Sequence, residues 1–162
     1  MTMTRSAEHA RLEHEGWMRL ALEQAQLAAV QDEVPIGAIL VEAGSAIGKG
    51  FNQPICSHDP TAHAEIVALR NASQFKQNYR LPGSTLYVTI EPCTMCLGAI
   101  IHARVATLVY GAQEPKAGAV KSRQQLLEEG NFNHRLQVVG GVLAEPAAAL
   151  MQDFFKTRRQ RN

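Results

Sequence analysis

Thr85 to Tyr110, TLYVTIEPCTMCLGAIIHARVATLVY, reads as a strand, a helix and a second strand in close succession. Thr85 to Thr89 is a short run rich in β-branched and aromatic residues, the composition of a buried strand. Pro92 suits the opening of a helix, because its ring presets φ and its missing N–H is not needed in a first turn. From Cys93 onward, Cys96, Ala99, Ile100 and Ala103 recur at helical spacing on one face, and Thr107 to Tyr110 returns as a strand. Successive strands joined through a helix pair in parallel, so this unit sets part of a sheet with a helix on its face.

The flanks extend the same architecture. Ile36 to Glu42 and Ala46 to Phe51 flank Ala43-Gly44-Ser45, a short turn that makes an antiparallel hairpin. Ahead of it, Trp17, Met18, Leu20, Ala21, Leu22, Ala25 and Ala29 form the apolar side of an amphipathic helix that stops before Pro35. A second helix begins near Thr61, after the capping run Asp59-Pro60, with Ala62, Ile66 and Leu69 as its stripe. Gln137 to Val139 supplies a fifth strand, and Ala147, Leu150, Met151 and Phe154 are the stripe of a closing helix. A hairpin followed by strand-helix-strand units gives an α/β fold, a three-layer α/β/α sandwich around a mixed five-stranded sheet. Residues 13–162 are expected to form the domain and residues 1–12 a flexible N-terminal extension. Gly111 to Lys121, at the end of a strand, is a loop suited to substrate contacts.

Composition narrows the class. With 162 residues, 46% of them hydrophobic, the chain can bury a sizeable core and lacks the signature of disorder. The longest apolar runs, such as Val34 to Val41, are of strand length, and Met1 to Arg11 has no hydrophobic signal core, so no membrane association is expected. Three cysteines, an odd number, argue against a disulfide framework and for a reducing, cytoplasmic setting. A net charge of +1 gives no general attraction to polyanions, so nucleic-acid binding would need a local patch. Lys156-Thr157-Arg158-Arg159-Gln160-Arg161 is one candidate; basic residues there would equally complement the dipole of a helix C-terminus.

Two motifs carry chemistry. His63-Ala64-Glu65 and Pro92-Cys93-Thr94-Met95-Cys96 offer one imidazole and two thiolates, a donor set that suits Zn²⁺ and leaves its fourth tetrahedral position open. Zinc lowers the pKa of its water from about 15.7 toward about 7 to 9, depending on ligands and surroundings, and Glu65 is placed to take the proton and pass it on. Cys93 and Cys96 must be deprotonated, which the exposed amides of a helix N-terminus favour. Residues two apart diverge in a helix interior, so His63 and Glu65 converge on one ion only at a helix start. A closed structural site with Cys56, His58, His102 or His134 as fourth ligand, or a redox dithiol, is the alternative reading.

Asp59-Pro60-Thr61-Ala62-His63-Ala64-Glu65, Asn78-Tyr79-Arg80-Leu81 and Glu91-Pro92-Cys93-Thr94-Met95-Cys96-Leu97-Gly98-Ala99-Ile100-Ile101-His102-Ala103-Arg104 together resemble the bacterial tRNA-specific adenosine deaminases, within the cytidine/deoxycytidylate deaminase superfamily. The similarity runs from Glu15 to Arg159. It implies a cytidine-deaminase-like fold with strand order 2-1-3-4-5, one Zn²⁺ per subunit, a homodimer, and hydrolytic deamination of the wobble adenosine in an arginine tRNA anticodon. It further implies that Asn52 and the backbone of Ala64 read the base, that Val34 packs on it, and that Glu114 and Lys116 contact neighbouring nucleotides. Phe154, Arg158 and Arg159 would hold the anticodon stem-loop. Gln113-Glu114 departs from the family, which commonly has aspartate at the second position and, in its best-known members, arginine at the first. Two other readings share the zinc motifs: a deaminase of free nucleobases or nucleosides, and a non-catalytic zinc-stabilised RNA-binding domain.

Overall fold

In a computed structural model, residues 2–162 are described, with side chains from Thr4 onward. Helix α1 spans Thr2–Val30, and strands β1 (Gly37–Glu42) and β2 (Ser45–Phe51) form the hairpin. Helix α2 (Ala64–Lys76), strand β3 (Thr85–Ile90), helix α3 (Thr94–His102) and strand β4 (Thr107–Ala112) follow. A single turn, α4 (Leu126–Glu129), strand β5 (Gln137–Val139) and helix α5 (Ala144–Arg161) complete the chain. The sheet order is β2-β1-β3-β4-β5, as the resemblance implied. β1 pairs antiparallel with β2 and β3, while β3–β4 and β4–β5 are parallel.

Alternation along the strands builds the layers. Ala38, Leu40, Leu86, Val88, Leu108 and Tyr110 point to one face, where they pack with Ala64, Ala68, Leu69 and Ala72 of α2 and Leu97, Ile100 and Ile101 of α3. Ile39, Val41, Tyr87 and Val109 point to the other face and meet Met18 and Ala21 of α1. Ile90, Ala112 and Ala147 form a third cluster that seats α5. The layer of α2 lies close to the hairpin because β2 presents Gly48 and Gly50 to it; a Cβ on Gly50 would lie 2.5 Å from the Ala64 carbonyl oxygen.

Two expectations change. The hairpin turn is Ala43-Gly44 alone, both at positive φ (49° and 75°), so Ser45 is already in β2. Residues 2–12, expected as a flexible extension, are turns of α1, and every side chain from Thr4 to Glu13 is exposed. No Gly or Pro interrupts the chain before Gly16, so a helix anchored by Met18, Ala21, Ala25 and Ala28 propagates backward over the exposed side chains of Thr4 to Glu13.

Candidate active site

Topology gathers the expected residues at one end of the sheet. β1 starts where β2 ends, Gly37 pairing with Phe51, so Val34 and Asn52 flank the same edge, joined by Asn52 N–H to the Ile36 carbonyl at 3.0 Å. The parallel strands β3 and β4 both end there, and the loops that follow carry Cys93 and Glu114. Residues 53–62 fold back, with Gln53 N–H bonded to the Ala62 carbonyl at 3.0 Å, and deliver His63.

His63 and Cys93 are both the residue immediately before a helix, each with extended backbone (φ −70°, ψ 155° and φ −77°, ψ 175°). The α2 helix therefore begins at Ala64, three residues later than expected, and α3 begins after Cys93. This resolves the two-residue spacing: His63 projects from outside the helix while Glu65 sits in its first turn. Two helix N-termini face the same point, and their free amides and dipoles favour negative charge there. His63 Nδ1 lies 3.6 Å from Cys93 Sγ and 3.5 Å from Cys96 Sγ, and all three ligand atoms fall within 4.8 Å of one another. A tetrahedral centre with Zn–S of about 2.3 Å and Zn–N of about 2.0 Å has an N···S edge of about 3.5 Å, so the residues fit zinc.

Hydrogen bonding within the cluster and burial set its electrostatics. Hydrogen bonding from the Cys96 thiol, with His63 adding to it, pulls Cys93 down to about 4, despite partial burial. Cys96 is pushed up by its bond to Cys93 and by burial. His63 is raised, first by its hydrogen bond with Cys93. Glu65 is 4% exposed, and desolvation raises its carboxyl above the ordinary range against an opposing hydrogen bond from Cys96. A buried carboxyl whose pKa is raised by desolvation, beside a ligand cluster, is suited to proton transfer. Among the described residues no further His, Cys, Asp or Glu joins the cluster. His134 Nε2 is instead bonded to the Val105 carbonyl at 2.6 Å, and the exposed Cys56 thiol to Gln31 at 3.4 Å.

The outer residues divide. Asn52 is buried and Val34 half-buried at the rim. The Glu114 carboxylate accepts the backbone N–H of Lys116 at 2.9 Å, bracing its own loop, and Lys116 is exposed. The end of α5 reaches the end of α1: Arg158 donates to the Asp32 carbonyl at 3.2 Å and covers the Phe154 ring at 5.0 Å, while Arg161 pairs with the Asp32 carboxylate at 3.2 Å. The tail thus lies beside Asp32, two residues before Val34; Arg159 is exposed.

Two buried carboxylates at the rim were not singled out from sequence. Glu33, 1% exposed, accepts Ile55 and Cys56 N–H groups at 3.1 and 3.3 Å, fixing the segment after Asn52. Glu91, 3% exposed, does the same for the loop after β4. Their only signal was position: an acid beside a strand end and next to a proline-led motif.

The MafB19-like deaminase family matches residues 12–159. A tRNA-specific adenosine deaminase of Haemophilus influenzae is 52% identical over 147 residues, 90% of this chain and 85% of that protein. One of Agrobacterium fabrum is 44% identical over 143 residues, 88% and 94% of the two chains. A solved structure from work on A-to-I editing by tRNA:A34 deaminases at the wobble position has a TM-score of 0.81 at 44% identity, covering 83% of this chain and 98% of that one. A guanine deaminase structure from Nitrosomonas europaea has a TM-score of 0.75 at 27% identity, covering 86% and 83%. With the ligand cluster, the buried acid and identity of this extent over nearly the whole chain, the protein belongs to the family of tRNA-specific adenosine deaminases.

Proposed function

We propose that this chain hydrolyses the 6-amino group of adenosine at wobble position 34 of an arginine tRNA anticodon, giving inosine and ammonia. The observation that carries the reading is the buried Glu65 beside the His63, Cys93 and Cys96 cluster, in a chain 52% identical to a tRNA-specific adenosine deaminase. His63, Cys93 and Cys96 would hold one Zn²⁺ per subunit. When bound, zinc acidifies water so that hydroxide is available near neutral pH. Glu65 takes the proton of the attacking water, delivers it to the adenine N1 to make C6 electrophilic, and then protonates the departing amine. Burial raises the Glu65 pKa, which makes it a stronger base toward the water proton.

The base is extruded from a single-stranded loop, with Asn52 and the Ala64 backbone on its polar edge and Val34 on its face. Glu114 and Lys116 meet adjacent nucleotides, and Phe154, Arg158 and Arg159 meet the stem-loop. Residues 13–162 act as the working domain, with residues 1–12 as an appendage. The enzyme works as a homodimer in the cytoplasm; no helix among the described residues is long and apolar enough to cross a membrane. The fold also serves free-base deaminases, as the guanine deaminase likeness indicates, so deamination of a free purine is the second reading.

Glu65→Ala tests the mechanism. Zinc content should stay at one per chain while deamination falls about 10²- to 10⁴-fold or more, the range of a positioned acid/base. Activity within about tenfold of the unaltered protein would remove Glu65 from the reaction.

A further inference from the structure

Glu91 follows the last residue of β3 and precedes Pro92-Cys93. Its N–H continues the β3–β4 ladder, donating to the Ala112 carbonyl at 2.8 Å. Its side chain turns under the loop that leaves β4. Oε2 accepts three successive amides, from Val120 at 3.1 Å, Lys121 at 2.8 Å and Ser122 at 3.0 Å. Oε1 accepts the Glu114 N–H at 3.2 Å and the Ser122 hydroxyl. Gly118 makes room for this: a Cβ there would lie 2.5 Å from the carboxyl carbon and from Oε2. The same loop bonds the ligand segment twice more, Ala119 N–H to the Pro92 carbonyl at 2.9 Å and the Thr94 hydroxyl to Gln124 at 2.8 Å.

One carboxylate therefore holds both ends of a loop whose exposed span is Pro115 to Ala117. Buried charge-assisted bonds of this number fix a loop far more firmly than its own turns would. We infer that Glu91 is a positioning residue, which sets Glu114 and Lys116 over the metal-ligand segment and so governs the grip on the nucleotides beside the reacting base. This rests on the tRNA deaminase reading, in which Glu114 and Lys116 face those nucleotides.

Glu91→Gln is the sharpest variant. The three amides on Oε2 demand an oxygen, so the new NH₂ takes the Oε1 place. There the Ser122 hydroxyl can turn to accept, and only the Glu114 N–H is left without an acceptor. The variant thus loosens the Glu114 end of the loop and leaves Cys93 tied through Pro92 and Ala119. With an anticodon stem-loop as substrate, KM should rise about tenfold while kcat changes less than about threefold and zinc content stays at one per chain. Glu114→Ala with Lys116→Ala removes the side chains through which Glu91 acts. Adding Glu91→Gln to that pair should therefore raise KM by less than about twofold more. Ser122→Ala, which keeps the carboxylate and drops one donor, should raise KM about two- to threefold and covers the case in which Glu91→Gln fails to fold.

Unchanged KM in the variants that fold, a loss confined to kcat and zinc content, or full multiplication of the effects in the triple variant would each overturn the positioning role. An unaltered protein that forms no inosine in the stem-loop would instead refute the tRNA reading and the inference with it.

Discussion

Replacing Gly50 with alanine should disable the candidate site from a distance. Gly50 sits on β2 under the first turns of α2, and its Cβ would lie 2.5 Å from the Ala64 carbonyl oxygen, 2.6 Å from the Ala68 nitrogen and 2.9 Å from the Val67 Cβ. Two of these neighbours are helix backbone, so no rotamer change relieves them. Opening 2.5 Å to an ordinary 3.4 Å separation displaces the helix by about 0.9 Å. That end of α2 carries His63 and Glu65, whereas Cys93 and Cys96 belong to α3, so the shift widens the 3.5–3.6 Å spacing of His63 Nδ1 from the two sulfurs. Metal sites tolerate about 0.2 Å, and a 1 Å misplacement of reacting groups costs about 10²-fold in rate. Overpacking of this kind costs about 1–3 kcal/mol, or about 2–12 °C in Tm for a chain of this size. Thermal melts, zinc content and inosine formation would be compared with Gly16→Ala, an exposed helical site with nothing within 4 Å, where Tm should hold or rise. A Gly50→Ala protein with full zinc and activity within about threefold of the unaltered chain would refute the reasoning.

Two further outcomes follow from other parts of the molecule. Burial, aided by the Glu13 carboxylate, pushes the Tyr87 hydroxyl up to about 12, and it bonds His14 Nδ1 at 2.9 Å. Its stabilising contribution is complete below the ordinary tyrosine value of about 10 and is lost as pH rises toward about 12. Denaturation midpoints should therefore fall less steeply over that window in Tyr87→Phe, and equal slopes would contradict this. Replacing Lys156, Arg158, Arg159 and Arg161 by alanine should weaken stem-loop binding and lower the slope of log affinity against log salt by about 1–3, at about 0.7–0.9 for each phosphate no longer neutralised. An unchanged slope would leave the tail as a solvated helix end tied to Asp32.

The strand-helix-strand core was legible because β3, α3 and β4 each state their period: Leu86, Val88, Leu108 and Tyr110 alternate to one face, and Cys96 and Ile100 recur at helical spacing. The cluster of His63, Cys93 and Cys96 was legible because few residue types bind zinc. What composition does not encode is where a helix truly starts. His63 and Cys93 sit in extended backbone just outside α2 and α3, and their neighbours would suit a helix equally well. The roles of Glu33 and Glu91 were hidden for a different reason, since their partners are backbone amides from segments that no side-chain pattern marks. The short α4, four residues long, carries too few positions to show a period. The approach of Arg158 and Arg161 to Asp32 spans more than a hundred residues and follows only from how α5 lies against α1.

The most direct test of the proposed activity is deamination measured side by side on an anticodon stem-loop with adenosine at the wobble position, on free adenosine and on free guanine, using the zinc-loaded protein. Inosine should form at that one nucleotide, with the free compounds left unconverted under the same conditions. No inosine in the RNA, or turnover of a free purine at comparable kcat/KM, would contradict it.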